Sequence, residues 1–160
     1  MNALDGPVLI AFDGSGPARQ AMTDAAKLLA PHHTIVVTVW EPNLAYMTAA
    51  APPDIAMSPV VEPEAVLSVE QGLRENAERV AREGAELARS FGLDAEPLAV
   101  SDDGDVAHTL VNLAHEHQAA AIVVGSRGLS GIRARLEGST SKGVLKRAPC
   151  PVLVVHEEED

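Results

Sequence analysis

Aromatic residues are few: one Trp, one Tyr and two Phe among 160 positions. A core of stacked rings is thereby excluded. Val, Leu, Ile and Ala must fill the interior, which suits a parallel sheet covered by alanine-rich helices. Cysteine is scarcer still, and Cys150 alone admits no internal disulfide and no cysteine-built metal site. Set between Pro149 and Pro151 at the entry to an apolar run, it reads as a small buried hydrophobe. No run approaches membrane-spanning length. The stretch Met1-Asn2-Ala3-Leu4-Asp5-Gly6 has neither a basic flank nor an apolar segment, so a cytoplasmic chain without a membrane partner is expected. Positive charge is also short: 12 Lys and Arg stand against 23 Asp and Glu, a net charge of −11. That balance excludes nucleic acid or an anionic membrane surface as the principal partner.

What is present is a 46% apolar chain long enough for one domain over 1–160 with a core of its own. Pro7 to Phe12 reads as a buried strand that ends at Asp13-Gly14-Ser15-Gly16-Pro17. A helix follows, with Ser15 as its cap, Pro17 in its first turn and Pro31 as its stop. Thr34 to Trp40 is a second, β-branched strand. From 41 to 63 five prolines interrupt any period, and a long flexible connection or lid is expected. Glu64 to Phe91 is the clearest helix, with Val66, Val69, Leu73, Ala77, Val80, Leu87 and Phe91 on one stripe and Gly92 as its stop. Ala95 to Val100 is a strand that Pro97 marks as an edge. A helix from Val106 to His117, a strand from Ala119 to Val124, a short helix from Ser139 to Arg147 and a last strand from Pro151 to Val155 complete the order. An acidic tail, 157–160, should be solvated. This alternation implies a doubly wound α/β fold with helices on both faces of a parallel sheet, and ligands bind such sheets at the carboxyl ends of the strands where the order reverses.

Two stretches carry chemistry. The first, Asp13-Gly14-Ser15-Gly16, has two readings: a strand-to-helix turn with a capping aspartate, or an aspartate that accepts hydrogen bonds from ribose hydroxyls. It lacks the third glycine of a dinucleotide loop, and the chain has no Gly-Lys-Ser/Thr phosphate loop. The second runs from Val124-Gly125-Ser126-Arg127-Gly128 to Gly138-Ser139-Thr140-Ser141. Gly125 and Gly128 can take positive φ and let a ligand approach the backbone. The hydroxyl residues open a helix whose free amides favour phosphate. Six of the 12 basic residues fall between Arg127 and Arg147, a basic island in an acidic chain. The histidines suggest no metal site: His115 and His117 are two apart, about 200° around a helix. No Ser, His and Asp grouping points to acyl transfer.

Gly125-x-x-Gly128, nine residues, then Gly138-Ser139, with Asp13-Gly14-Ser15 closing the first strand, resembles the universal stress protein family, in its ATP-binding branch. The resemblance covers the whole chain. It implies a Rossmann-like, five-stranded sheet of order 3-2-1-4-5 and a homodimer paired through the last strand, 151–155. It also implies an adenine pocket at Ala11, Phe12 and Val39, ribose near Asp13 and Gly125, and phosphates on Arg127, Gly128, Gly138, Ser139, Thr140 and Ser141, with Val124 leading into that turn. ATP is the implied cofactor, with Mg²⁺ held mainly by its phosphates. Glu137, beside Gly138, departs from the apolar residue usual in related proteins; a carboxylate there repels phosphate unless it turns outward or meets a metal.

A nucleotide-dependent regulatory module of the stress response, with an unspecified protein partner downstream, follows from these features. The alternatives are a slow ATPase, a cAMP-binding variant of the same pocket, and an interaction dimer without ligand. No evident base orients a water for attack, so hydrolysis is expected to be slow at most.

Overall fold

The computed structural model describes residues 5–30, 32–42, 62–102, 105–126 and 139–156. In chain order the elements are β1 (Val8–Ala11), α1 (Gly16–Leu29), β2 (His33–Trp40), α2 (Pro63–Ser90), β3 (Asp94–Ser101), α3 (Val106–Glu116), β4 (Ala121–Gly125), α4 (Ser139–Arg147) and β5 (Val152–Val155). The five strands form one parallel sheet of order β3-β2-β1-β4-β5. The order reverses between β1 and β4, as the sequence pattern requires of a doubly wound sheet. The expected connection falls largely on 43–61, which lies outside the described residues, as does the tail 157–160.

Alternation along each strand divides the core into two layers. Val8, Ile10, Phe12 and Val36 face Met22 of α1 and Val80 of α2. Leu9, Ala11, Ile35 and Val37 face Leu110 of α3 and Val144 of α4. Phe12 is the largest fully buried side chain, and it shapes α2. A Cβ at Gly84 would stand 2.6 Å from the Phe12 ring and 2.8 Å from Val36 Cγ1, so only glycine lets the helix approach here. The buried stripe of α2 is accordingly small: Ala77, Val80, Ala81, Gly84, Ala85 and Ala88. The larger stripe expected from the sequence is corrected at its end, because Phe91 is 40% exposed beyond the sheet.

The caps follow local chemistry. Ser15 Oγ accepts the Ala18 N–H at 3.2 Å, and Ala30, ahead of Pro31, leaves α1 in an extended conformation. Gly92 stops α2 at φ +92°. Val80 lies level with Gly14 at the carboxyl end of the sheet, so the first half of the 28-residue α2 projects beyond that end.

The two sheet edges differ. On β3, Pro97 carries no N–H, and the outward carbonyl of Ala95 accepts from Arg89 Nε at 2.8 Å. On β5, Pro151 and Val155 give their carbonyls to β4, which leaves the N–H and C=O of Val152 and Val154 pointing outward.

Gly84→Ala should lower stability by about 1–3 kcal/mol through overpacking. Gly72→Ala, at a helix position with open space around it, should raise stability by roughly 0.5–1 kcal/mol. Urea titrations of the two variants check this, and shifts of the same sign would contradict the packing described.

Candidate functional site

β1 stops after four residues while β2 runs for eight. The last ladder bond between them runs from the Phe12 N–H to the Val37 carbonyl at 2.8 Å. A continuing ladder would next offer the Phe12 carbonyl to the Val39 N–H. Instead that carbonyl accepts from the buried Thr38 hydroxyl at 2.8 Å. Val39 therefore directs one N–H and one C=O past the end of β1 with no partner among the described residues.

Beside this gap the first turn has the chemistry expected of it. Asp13 Oδ1 accepts the Ser15 N–H at 2.9 Å, and Gly14 takes φ +80°. The turn reading of Asp13-Gly14-Ser15-Gly16 is thus satisfied by one carboxylate oxygen. The second oxygen is in no described hydrogen bond, and the half-buried side chain keeps it for another donor. Ala11, Val39 and Val124 share the face that packs on α3 and α4. Phe12 does not join them: its ring is fully buried on the opposite face, with the Arg19 guanidinium 5.8 Å from its centroid. Its backbone N–H and C=O are also both occupied.

Gly125 closes β4 next to β1. It does not adopt the positive φ that a glycine there could take. Its use is space, because a Cβ would find no heavy atom within 4 Å among the described residues. Ser126 N–H donates to the Val155 carbonyl at 2.8 Å, anchoring the chain as it leaves the strand. Arg127, Gly128, Glu137 and Gly138 lie outside the described residues. The chain returns at Ser139, the first residue of α4. Thr140 and Ser141 follow, 9% and 5% exposed, and Thr140 is in no described hydrogen bond. The Thr140 hydroxyl, in the first turn of α4, can donate to an anion there, where a helix N-terminus favours negative charge.

α4 is seated on α3 by a close contact, since a Cβ at Gly143 would come within 2.7 Å of Ala107 Cβ. Arg147 Nη2 donates to Asp105 Oδ2 at 2.7 Å, and this guanidinium holds the Asp105 carboxyl below the usual carboxylate range. No local sequence signal announces that pair, whose members are 42 positions apart.

Other polar groups serve different ends of the molecule. A cleft of about 610 Å³ lies at the amino edge of the sheet, lined by Pro7, His115, His117, Ala119 and Cys150 among others. It lies at the amino ends of β1 and β4, opposite the carboxyl-end gap, and burial pushes the Cys150 thiol up, which disfavours a reactive thiolate. His33 sits on the β3 side of β2, 3.2 Å from Asp94 and 3.4 Å from Glu96. Among the described residues no three metal-ligating side chains gather, and no helix is long and apolar enough to cross a membrane.

The universal stress protein family profile matches residues 6–156. The chain is 29% identical over 149 residues to the universal stress protein YxiE of Bacillus subtilis, covering 92% of this chain and 97% of that one. It is 32% identical over 151 residues to the universal stress protein in QAH/OAS sulfhydrylase 3′ region of Thermus aquaticus, with 92% and 96% covered. Among solved structures, a universal stress protein in complex with cAMP superposes with a TM-score of 0.59 at 27% identity, covering 94% of this chain and 96% of that one. The match to the family profile over nearly the whole chain, on a sheet of order 3-2-1-4-5, makes this chain a member of the universal stress protein family.

Proposed function

We propose that the chain binds ATP at the carboxyl ends of β1, β2 and β4 and acts as a nucleotide-dependent regulatory module of the stress response. The observation that carries this reading is the N–H and C=O of Val39 beyond the end of β1, which have no partner among the described residues. Adenine offers a matching pair on one edge: N1 accepts, and the N6 amino group donates. Guanine presents the reverse polarity there, with a carbonyl at position 6 and an N–H at position 1, and would leave both Val39 groups mismatched.

Ala11 and Val124 would back the base from the α3–α4 layer, while Phe12 lies on the other side of the sheet. The second oxygen of Asp13 suits a ribose hydroxyl, and Gly125 leaves the sugar room beside β4. Phosphates would then reach Ser139, Thr140 and Ser141 at the N-terminus of α4, with Arg127, Gly128 and Gly138 joining through the intervening chain. Mg²⁺ would be held chiefly by phosphate oxygens, as its preference for several water ligands allows. The relative that holds cAMP supports an adenine ligand and keeps cAMP as the second reading. Hydrolysis is read as slow at most: the Asp13 carboxylate of the crevice is tied to the Ser15 N–H and assigned to ribose, away from the phosphates.

We also propose a homodimer through β5. The contrast between the guarded β3 edge and the outward-facing amides and carbonyls of Val152 and Val154 supports it.

Mass spectrometry of nucleotide released from purified protein, with calorimetric titration of ATP, cAMP and GTP, tests the first reading. ATP should bind, and GTP should bind at least ~tenfold more weakly. Gly125→Val should abolish ATP binding with the melting temperature nearly unchanged, since the added side chain enters open space. Protein that takes up no adenine nucleotide overturns the reading. For the dimer, sedimentation should give two copies for the parent and one for Val154→Pro, which deletes an outward N–H that β4 does not use. A monomeric parent at ~100 μM would rule the pairing out.

A further inference from the structure

A connected run of hydrogen bonds crosses from the Val39 end of the crevice to α4. The Trp40 carbonyl, one residue after Val39, accepts the Asp102 N–H at 2.7 Å. Asp102 is 4% exposed, and its Oδ1 accepts from the Asp105 N–H at 2.8 Å and the Thr109 hydroxyl at 3.3 Å. Asp105 then divides its carboxylate. Oδ1 caps α3 by accepting from Ala107 N–H at 2.9 Å and His108 N–H at 3.4 Å, and Oδ2 receives Arg147 Nη2 at 2.7 Å. Arg147 Nε returns to its own helix, donating to the Gly143 carbonyl at 3.2 Å. Gly143 is the residue at which α4 touches Ala107 of α3.

We infer that Asp105 and Arg147 are positioning residues that fix the distance and aim of the α4 N-terminus relative to Val39, and thereby set how many phosphates an adenine nucleotide presents productively, a conclusion that rests on the nucleotide reading above. β2 and α4 share no ladder, so the span between them is carried through α3. Gly143 lies directly on Ala107, and the neighbouring Val144 is fully buried in the same layer. The Arg147–Asp105 bond adds a directional tie to this packing at the last residue of α4. Exposed ion pairs stabilise little in general. Here the acceptor is already immobilised by two capping bonds and the donor by a bond to its own helix, so little further ordering is needed. The effect is on direction more than on stability, and misplacement of about 1 Å is enough to weaken a site of this kind.

Asp105→Asn is the informative variant, because asparagine caps a helix as well as aspartate and the fold is retained. It removes one negative charge, so a purely electrostatic account predicts tighter ATP binding. Positioning predicts the opposite. Calorimetric affinities for adenosine, AMP and ATP should show ATP weakened by about tenfold, the size of one charge-assisted hydrogen bond, with adenosine changed by less than about twofold. Arg147→Gln should produce the same split, and Arg147→Lys, which keeps one donor and the charge, should recover part of it. In the double variant the losses should not add. ATP affinity unchanged or raised in Asp105→Asn overturns the inference, as does an equal loss for adenosine and ATP. A parent protein that binds none of the three ligands overturns the nucleotide reading itself, an outcome distinct from the other two.

Discussion

The carboxyl face of this protein depends on β1 being short. The central strand of a five-stranded sheet stops four residues after it starts, while β2 beside it runs for eight. At the stop the Phe12 carbonyl accepts a side-chain bond from the Thr38 hydroxyl where a continuing ladder would have offered it the Val39 N–H. Among the described residues, the backbone of β2 beyond that point faces a gap instead of a neighbour, and on the far side β4 ends in a glycine with open space around it. Because unpaired backbone groups away from water are costly, such a gap calls for a ligand that pairs with them or for solvent.

Placement of the α4 N-terminus follows from different physics. α4 begins with three hydroxyl residues and is short, so tertiary packing, including the fully buried Val144, holds it more than helix propensity does. What seats it is glycine against alanine at the α3 crossing, reinforced by one charged pair. The acidic character of the chain as a whole, −11, is therefore no obstacle to an anionic guest. The local field at a helix N-terminus is set by amides within about one turn, and distant carboxylates are screened.

Much of this was legible in the residues. The bounds of α4, the Asp13 and Ser15 turn, the edge position marked by Pro97 and the neighbouring of the first and fourth strand ends all follow from local chemistry and alternation. The resemblance groups Phe12 with Ala11, and alternation along the strand puts their side chains on opposite faces of the sheet. The alanine stripe of α2 was less accessible. Its small side chains reflect the volume of the Phe12 ring, a partner more than 60 positions away. The Asp105–Arg147 pair was invisible for the same reason: charges on separate helices leave no periodic trace.

The unequal treatment of the two sheet edges limits what self-association can build. A sheet open on both sides can add copies at each edge and grow without end. With β3 interrupted by Pro97, which has no N–H, and by Arg89 on the Ala95 carbonyl, while β5 presents the N–H and C=O of both Val152 and Val154, edge pairing is favoured at β5 over β3. A two-fold pair formed through that edge uses the same strand of both copies and leaves no second β5 edge for a third.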